Sequence, residues 1–97
     1  MCKFSSRAVS DLQETGDYIA RNNRKKAIDF VEEIRECCFS IVDSPKSAPL
    51  RENLGIGIRM LVFGRYLIFY TIHTDSIKIE RVLHSARDLL PNFFTNH

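Results

Sequence analysis

The chain has 97 residues, 44% hydrophobic and 27% charged, with a formal net charge of +2. That profile fits one ordinary globular domain spanning residues 1–97, able to bury a modest core without staples. No apolar run approaches the roughly 20 residues of a membrane-spanning helix, so no membrane association is expected. Residues Met1 to Ser6 carry no apolar core of signal-peptide length, and the expected location is the cytoplasm.

Met1–Ser5 reads as a short edge strand. Ser6 follows as a helix N-cap, and from Arg7 to about Arg21 the residues Val9, Leu12, Gly16, Ile19 and Ala20 share one face. Gly16 inside that face suggests close approach of a neighbouring helix, since glycine otherwise costs about 1 kcal/mol there. Asn22-Asn23 breaks the pattern and can cap a second helix. That helix runs from about Arg24 to Val42, with Ala27, Phe30, Val31, Ile34, Cys37, Cys38 and Ile41 at three-and-four spacing. Asp43-Ser44-Pro45 ends it, because proline disfavours helical geometry in the residue before it.

Lys46 to Gly57 is the only long irregular stretch, punctuated by Pro49, Gly55 and Gly57. Three strand-like runs follow: Ile58–Phe63, Tyr66–Ile72 and Ile77–Leu83, joined by the turns Gly64-Arg65 and His73–Ser76. Tyr66–Ile72 is apolar enough for a central strand buried on both faces. The predicted fold is α+β in the order β-α-α-β-β-β, a helix hairpin packed on one face of a small antiparallel sheet. Leu12, Ile19, Phe30, Ile34, Leu67 and Phe69 are the expected core. Strict alternation would place Arg81 on the apolar face of the last strand. Either a bulge shifts the register, or Arg81 lies at the sheet's open end with its head in water.

Cys37 and Cys38 are adjacent and Cys2 is remote in sequence, so no paired disulfide framework is evident and reduced thiols are expected. A structural zinc site needs four Cys/His ligands in paired spacings, which His73, His84 and His97 do not supply near the cysteines. No metal or cofactor is expected. Residues 44–97 hold seven Lys/Arg against four acids, and five of those cations are the arginines 51, 59, 65, 81 and 87. Arginine suits carboxylate and phosphate recognition, so this half could face an acidic protein or a nucleic acid.

The chain resembles the RelE/ParE superfamily of bacterial toxins along nearly its whole length. The first helix carries Ala8, Asp11, Leu12, Tyr18, Ile19 and Ala20 of the pattern A-x-x-DL-x-x-I-x-x-YIA, with Thr15 departing where an apolar residue is usual. Pro45, Arg51, Leu54, Gly57 and Arg59 follow the middle pattern, and Tyr66 to Tyr70 the aromatic strand. The phrase RVLHSARDL from Arg81 to Leu89 resembles the end of the ParE branch.

The resemblance implies the toxin of a type II toxin–antitoxin pair. Its expected partners are a cognate ParD-like antitoxin, with a ribbon-helix-helix domain and a wrapping C-terminal segment, and DNA gyrase as target. Operator DNA would be reached only through the antitoxin. RelE-like relatives instead cleave messenger RNA on the ribosome, which needs several cations at the scissile phosphate and a general acid/base. Only Arg59, Arg81, His84 and Arg87 could serve that chemistry, so no catalytic residue is assigned. The candidate target- or antitoxin-binding residues are Arg51, Arg59, Arg65, Arg81, His84 and Arg87. The plainer readings are a hinge for His84, a local ion pair for Arg87-Asp88, and surface pairs of Arg51 and Arg59 with Glu52 or Glu80. A degenerate member that only binds its antitoxin is a further alternative.

Overall fold

The computed structural model describes residues 2–85, in the order β1 (Cys2–Phe4), α1 (Ser6–Ala20), α2 (Arg24–Asp43), β2 (Arg59–Phe63), β3 (Tyr66–Ile72) and β4 (Ile77–His84). The α+β expectation holds. Ser5 rather than Ser6 caps α1: its extended backbone leaves Oγ free to accept from Ala8 N at 3.0 Å. The same hydroxyl donates to the Glu80 carbonyl at 2.7 Å, so this cap also ties the helix start to β4. Asn23 caps α2 by accepting from Lys26 N.

The four strands form one sheet in the order β1-β4-β3-β2. β2, β3 and β4 are antiparallel in sequence, with β3 inside, as expected. β1 differs: it joins β4 in parallel, Cys2 opposite Ile77 and Phe4 opposite Ile79, so the sheet is mixed. A three-residue run carries no directional signal. Its orientation is set by how α1 leaves its end.

β3 is buried on both faces, as its composition predicts. Ile68 and Tyr70 point into the main core with Phe30, Ile34, Cys38, Ile41, Ile79 and Val82 beneath the helices. Leu67 and Phe69 belong to a second core on the opposite face, with Ile58 and Leu83. Leu54 packs against that second core, so the irregular segment before β2 covers the face that the helices leave bare. Ile58 is part of this cover rather than of β2, its N–H bonded to the Gly55 carbonyl.

Leu12 and Ile19 are only half-buried; Ala8 and Thr15 make the buried line of α1. Small residues let the helix sit low on the sheet, and the larger ones move to its rims. The explanation proposed for Gly16 fails. A Cβ there would meet nothing within 4 Å among the described residues. Gly16→Ala is therefore expected to stabilise the protein by about 0.5–1 kcal/mol, read as a raised denaturant midpoint at unchanged slope.

The segment after α2 is anchored from beneath. The fully buried Tyr70 donates its hydroxyl to the Pro45 carbonyl at 2.6 Å. Burial pushes the Tyr70 hydroxyl above its ordinary value of 10.0, partly offset by the Arg59 charge. With the folded value raised, the stabilisation is complete below pH 10 and is lost as pH climbs from there toward the folded value. Tyr70→Phe should cost about 1–2 kcal/mol at neutral pH. That gap should narrow above pH 10 in parallel unfolding titrations.

Candidate functional site

Among the predicted binding residues, Arg81 is placed most specifically. Register slips between Phe69 and Tyr70: Phe69 faces Arg81 and Tyr70 faces Ile79, leaving Glu80 as the extra residue of a bulge in β4. This is one of the two arrangements predicted from sequence. It lets Ile79 and Val82 both join the helix-side core. β1 ends at Phe4, so beyond that point the outer edge of β4 has no strand beside it among the described residues. Asp11 of α1 fills the gap by accepting from Val82 N at 3.0 Å. The same carboxylate takes Arg81 Nε at 2.9 Å and Nη2 at 3.0 Å. Arg81 is thus half of a bidentate, largely buried clamp between α1 and β4, not a water-facing cation at the sheet's mouth.

Arg59 is also engaged in structure. Its Nη1 donates to the Ala48 carbonyl at 2.7 Å and to the Lys46 carbonyl at 3.3 Å. The surface pairing of Arg59 with Glu52 or Glu80 is not what forms. Glu52 instead accepts from Gly57 N, and Glu80 accepts from the Thr71 hydroxyl. Arg51 is exposed, and its backbone N–H bonds the Ile58 carbonyl at 2.7 Å. Replacing Arg59 and Arg81 therefore removes tertiary contacts as well as charge.

Arg65 and His84 meet at the far end of the sheet. Gly64, at φ +59°, supplies the left-handed residue of the β2–β3 turn, and exposed Arg65 follows it. Ser85 N donates to the Arg65 carbonyl at 2.9 Å, while His84 pairs with Tyr66 across the strands. The His84 ring meets Tyr66 edge-on, centroids 5.4 Å apart, and Tyr66 packs on Phe30 at 4.7 Å. An open cavity of about 740 Å³ lies here, lined by Ile19, Phe30, Phe63 and Tyr66 together with both cations, Lys26 and Arg65, and acids, Asp29 and Glu33. Arg87 and Asp88 lie outside the described residues.

The candidates do not share one face. Arg51 and Arg59 sit at the start of β2, while Arg65 and His84 sit beyond its end. Four residue steps, about 14 Å along the strand, separate Arg59 from Phe63. Arg81 is held on the α1 side.

An apolar groove between the helix hairpin and the sheet edge, of the kind that suits an amphipathic acidic partner chain, is present, but its residues are not among the predicted binding residues. α2 buries Phe30, Ile34, Cys37, Cys38 and Ile41, yet also presents Ile28, Val31, Phe39 and Val42 to solvent. Phe39 is 68% exposed. Val31, Phe39 and Val42 form one bank of a groove of about 500 Å³; Cys2 and Phe4 of β1 and Leu12 of α1 form the other. Arg35 stands on its margin. The available signal was an apolar band on α2 wider than one buried stripe requires. A second groove of about 530 Å³ runs between α2 and β2, with Glu33, Glu36 and Ser40 facing Leu61, Val62 and Phe63. Pro49 and Arg51 bond backbone groups at the start of the β2 edge, and among the described residues no strand pairs with its Val62 end.

Residues 2–89 match the family model described as the ParE toxin of the type II toxin-antitoxin system, parDE. The chain belongs to the ParE toxin family. Among solved structures, a chromosomal ParDE TA system from P. aeruginosa superposes with a TM-score of 0.72 at 21% identity. The match covers 86% of this chain and 92% of that one, so the ParE-type fold is shared almost throughout. No curated protein matches the chain significantly. The ParE pattern in this chain gains physical content from the structure. Its Asp11 and Arg81 form the clamp, its Leu54 covers the second core, and its Arg59 holds the segment after α2.

Proposed function

We propose that this ParE-family chain is a cytoplasmic toxin that poisons DNA gyrase by stoichiometric binding, and that a tightly bound cognate antitoxin neutralises it. One observation favours this over messenger RNA cleavage: two of the four candidate phosphate-handling groups are consumed by the fold. Arg81 is clamped to Asp11 and Arg59 to loop carbonyls, and His84 packs edge-on against Tyr66. A phosphodiester-cleaving site needs cations and an acid/base converging on one phosphate. A binding toxin needs only surface.

The groove between β1, α1 and α2 supports the antitoxin half of the reading. Its apolar banks with Arg35 alongside suit an amphipathic helix bearing acids on its polar face. In the further reading, operator DNA is engaged through the antitoxin alone.

The test sets purified toxin against gyrase supercoiling and, in parallel, against messenger RNA under translation. Saturating inhibition near one toxin per gyrase binding site supports the proposal; codon-positioned cleavage of messenger RNA overturns it. His84→Gln sharpens the distinction. General acid/base groups contribute about 10²–10⁴-fold to rate. A nuclease resting on His84 would lose nearly all activity, whereas a binding toxin should keep toxicity within a few-fold, measured as colony survival after induction.

A further inference from the structure

Cys2 and Cys38 are far apart in sequence, yet the fold brings them onto facing banks of the same groove. β1 packs against α2 with Cα atoms approaching within 8 Å, and Cys2 packs on the core that contains Cys38. Both residues line that groove within one packed cluster, Cys2 from β1 and Cys38 from α2. Cys37 turns the other way and lines the groove against β2. Cys2 is half-buried, open to small oxidants through the groove, whereas Cys38 is 5% exposed.

We propose that Cys2 and Cys38 are a peroxide-oxidisable dithiol that closes into a reversible disulfide joining β1 to α2. Interaction with Cys38 lowers the Cys2 thiol below its ordinary value, while the same interaction and burial raise Cys38. Cys2, the more accessible of the two sulfurs, is therefore the one that meets the oxidant first. Its sulfur attacks one oxygen of a hydroperoxide: an S–O bond forms, the O–O bond breaks, and the alcohol or water leaves. The Cys38 sulfur then attacks the Cys2 sulfenic acid. The S–S bond forms, the S–O bond breaks, and the departing hydroxide takes the Cys38 proton as water. Two electrons pass from the thiols to the peroxide. Thiol–disulfide exchange with a small dithiol reverses the reaction, so the bond is a response to oxidant and not a permanent staple. Its consequence is mechanical. A bond enclosing residues 2–38 fixes the edge strand to the second helix and sets the width of the groove.

The experiment treats the full chain with hydrogen peroxide and then follows intact mass, a non-reducing peptide map and thermal melting. The expected result is a loss of about 2 Da, one per thiol hydrogen, and a Cys2–Cys38 linked peptide. A rise in Tm of roughly 10 °C, reversed by dithiothreitol, should accompany it. Cys37→Ser should behave as the parent, and Cys2→Ser should lose the linkage and the Tm shift. Because Cys2 is only half-buried, that variant tests the pair without opening a core cavity. Stepwise gains of about 16 Da without a link, the ladder of an isolated thiol, would overturn the proposal. So would a link to Cys37 or a link between two chains.

Discussion

Asp11→Ala is expected to destabilise the protein by about 3 kcal/mol, a large share of a small domain's total stability. The carboxylate accepts three hydrogen bonds, from Arg81 Nε, Arg81 Nη2 and Val82 N, and its removal leaves each donor to find a new partner. The side chains are 18% and 10% exposed, so water can reach the guanidinium only in part. That residual access sets the figure at the low end of what breaking a buried ion pair costs. Thermal melting should show a fall of roughly 15 °C. Asp11→Asn keeps an acceptor for Val82 N and should lose clearly less. Replacing both partners, Asp11→Leu with Arg81→Met, should recover part of the loss, because no charge is then stranded. An Asp11→Ala midpoint within about 2 °C of the parent would show that solvent replaces the clamp.

Phe39→Asp is expected to weaken antitoxin binding by at least ~100-fold, equivalent to about 2.7 kcal/mol. Phe39 is 68% exposed on the bank of the β1–α2 groove, so the isolated toxin should melt within a few degrees of the parent. The loss arises in the complex, where a carboxylate would be desolvated against apolar partner side chains and would repel an acidic chain. Titration calorimetry with the cognate antitoxin measures it directly. Val62→Asp, at an exposed position of β2, is the control for the second groove. If Val62→Asp abolishes binding and Phe39→Asp does not, the antitoxin seat lies along β2 instead.

Much of the architecture was legible because its signals are local. The three-and-four spacing of Phe30, Ile34, Cys37, Cys38 and Ile41 dictates an amphipathic α2, and Asn23 caps it through its own side chain. Seven strand-forming residues from Tyr66 to Ile72 mark a strand covered on both sides, and that strand has the predicted bounds. The ParE pattern spread over the chain was readable in the same way, as residue identities in order.

What the sequence left open depends on which distant residues meet. Nothing in Cys2-Lys3-Phe4 states that the strand runs parallel to β4, because hydrogen bonding along a strand is blind to direction until a neighbour is chosen. The position of Arg81 was open between a bulge and a strand end. Only the placement of α1 beyond the end of β1 brings Asp11 to it and turns a presumed surface cation into a clamp. The candidate binding arginines dispersed for the same reason: they were drawn to different partners, Arg59 to loop carbonyls and Arg81 to a helix. Sequence by itself determined the elements, the cap of α2 and the family. Tertiary structure alone decided which charges are spent inside the fold, which apolar side chains of α2 remain outside it, and that Cys2 and Cys38 line one groove. Periodicity reports one element's faces, whereas these contacts arise only when two elements are packed together.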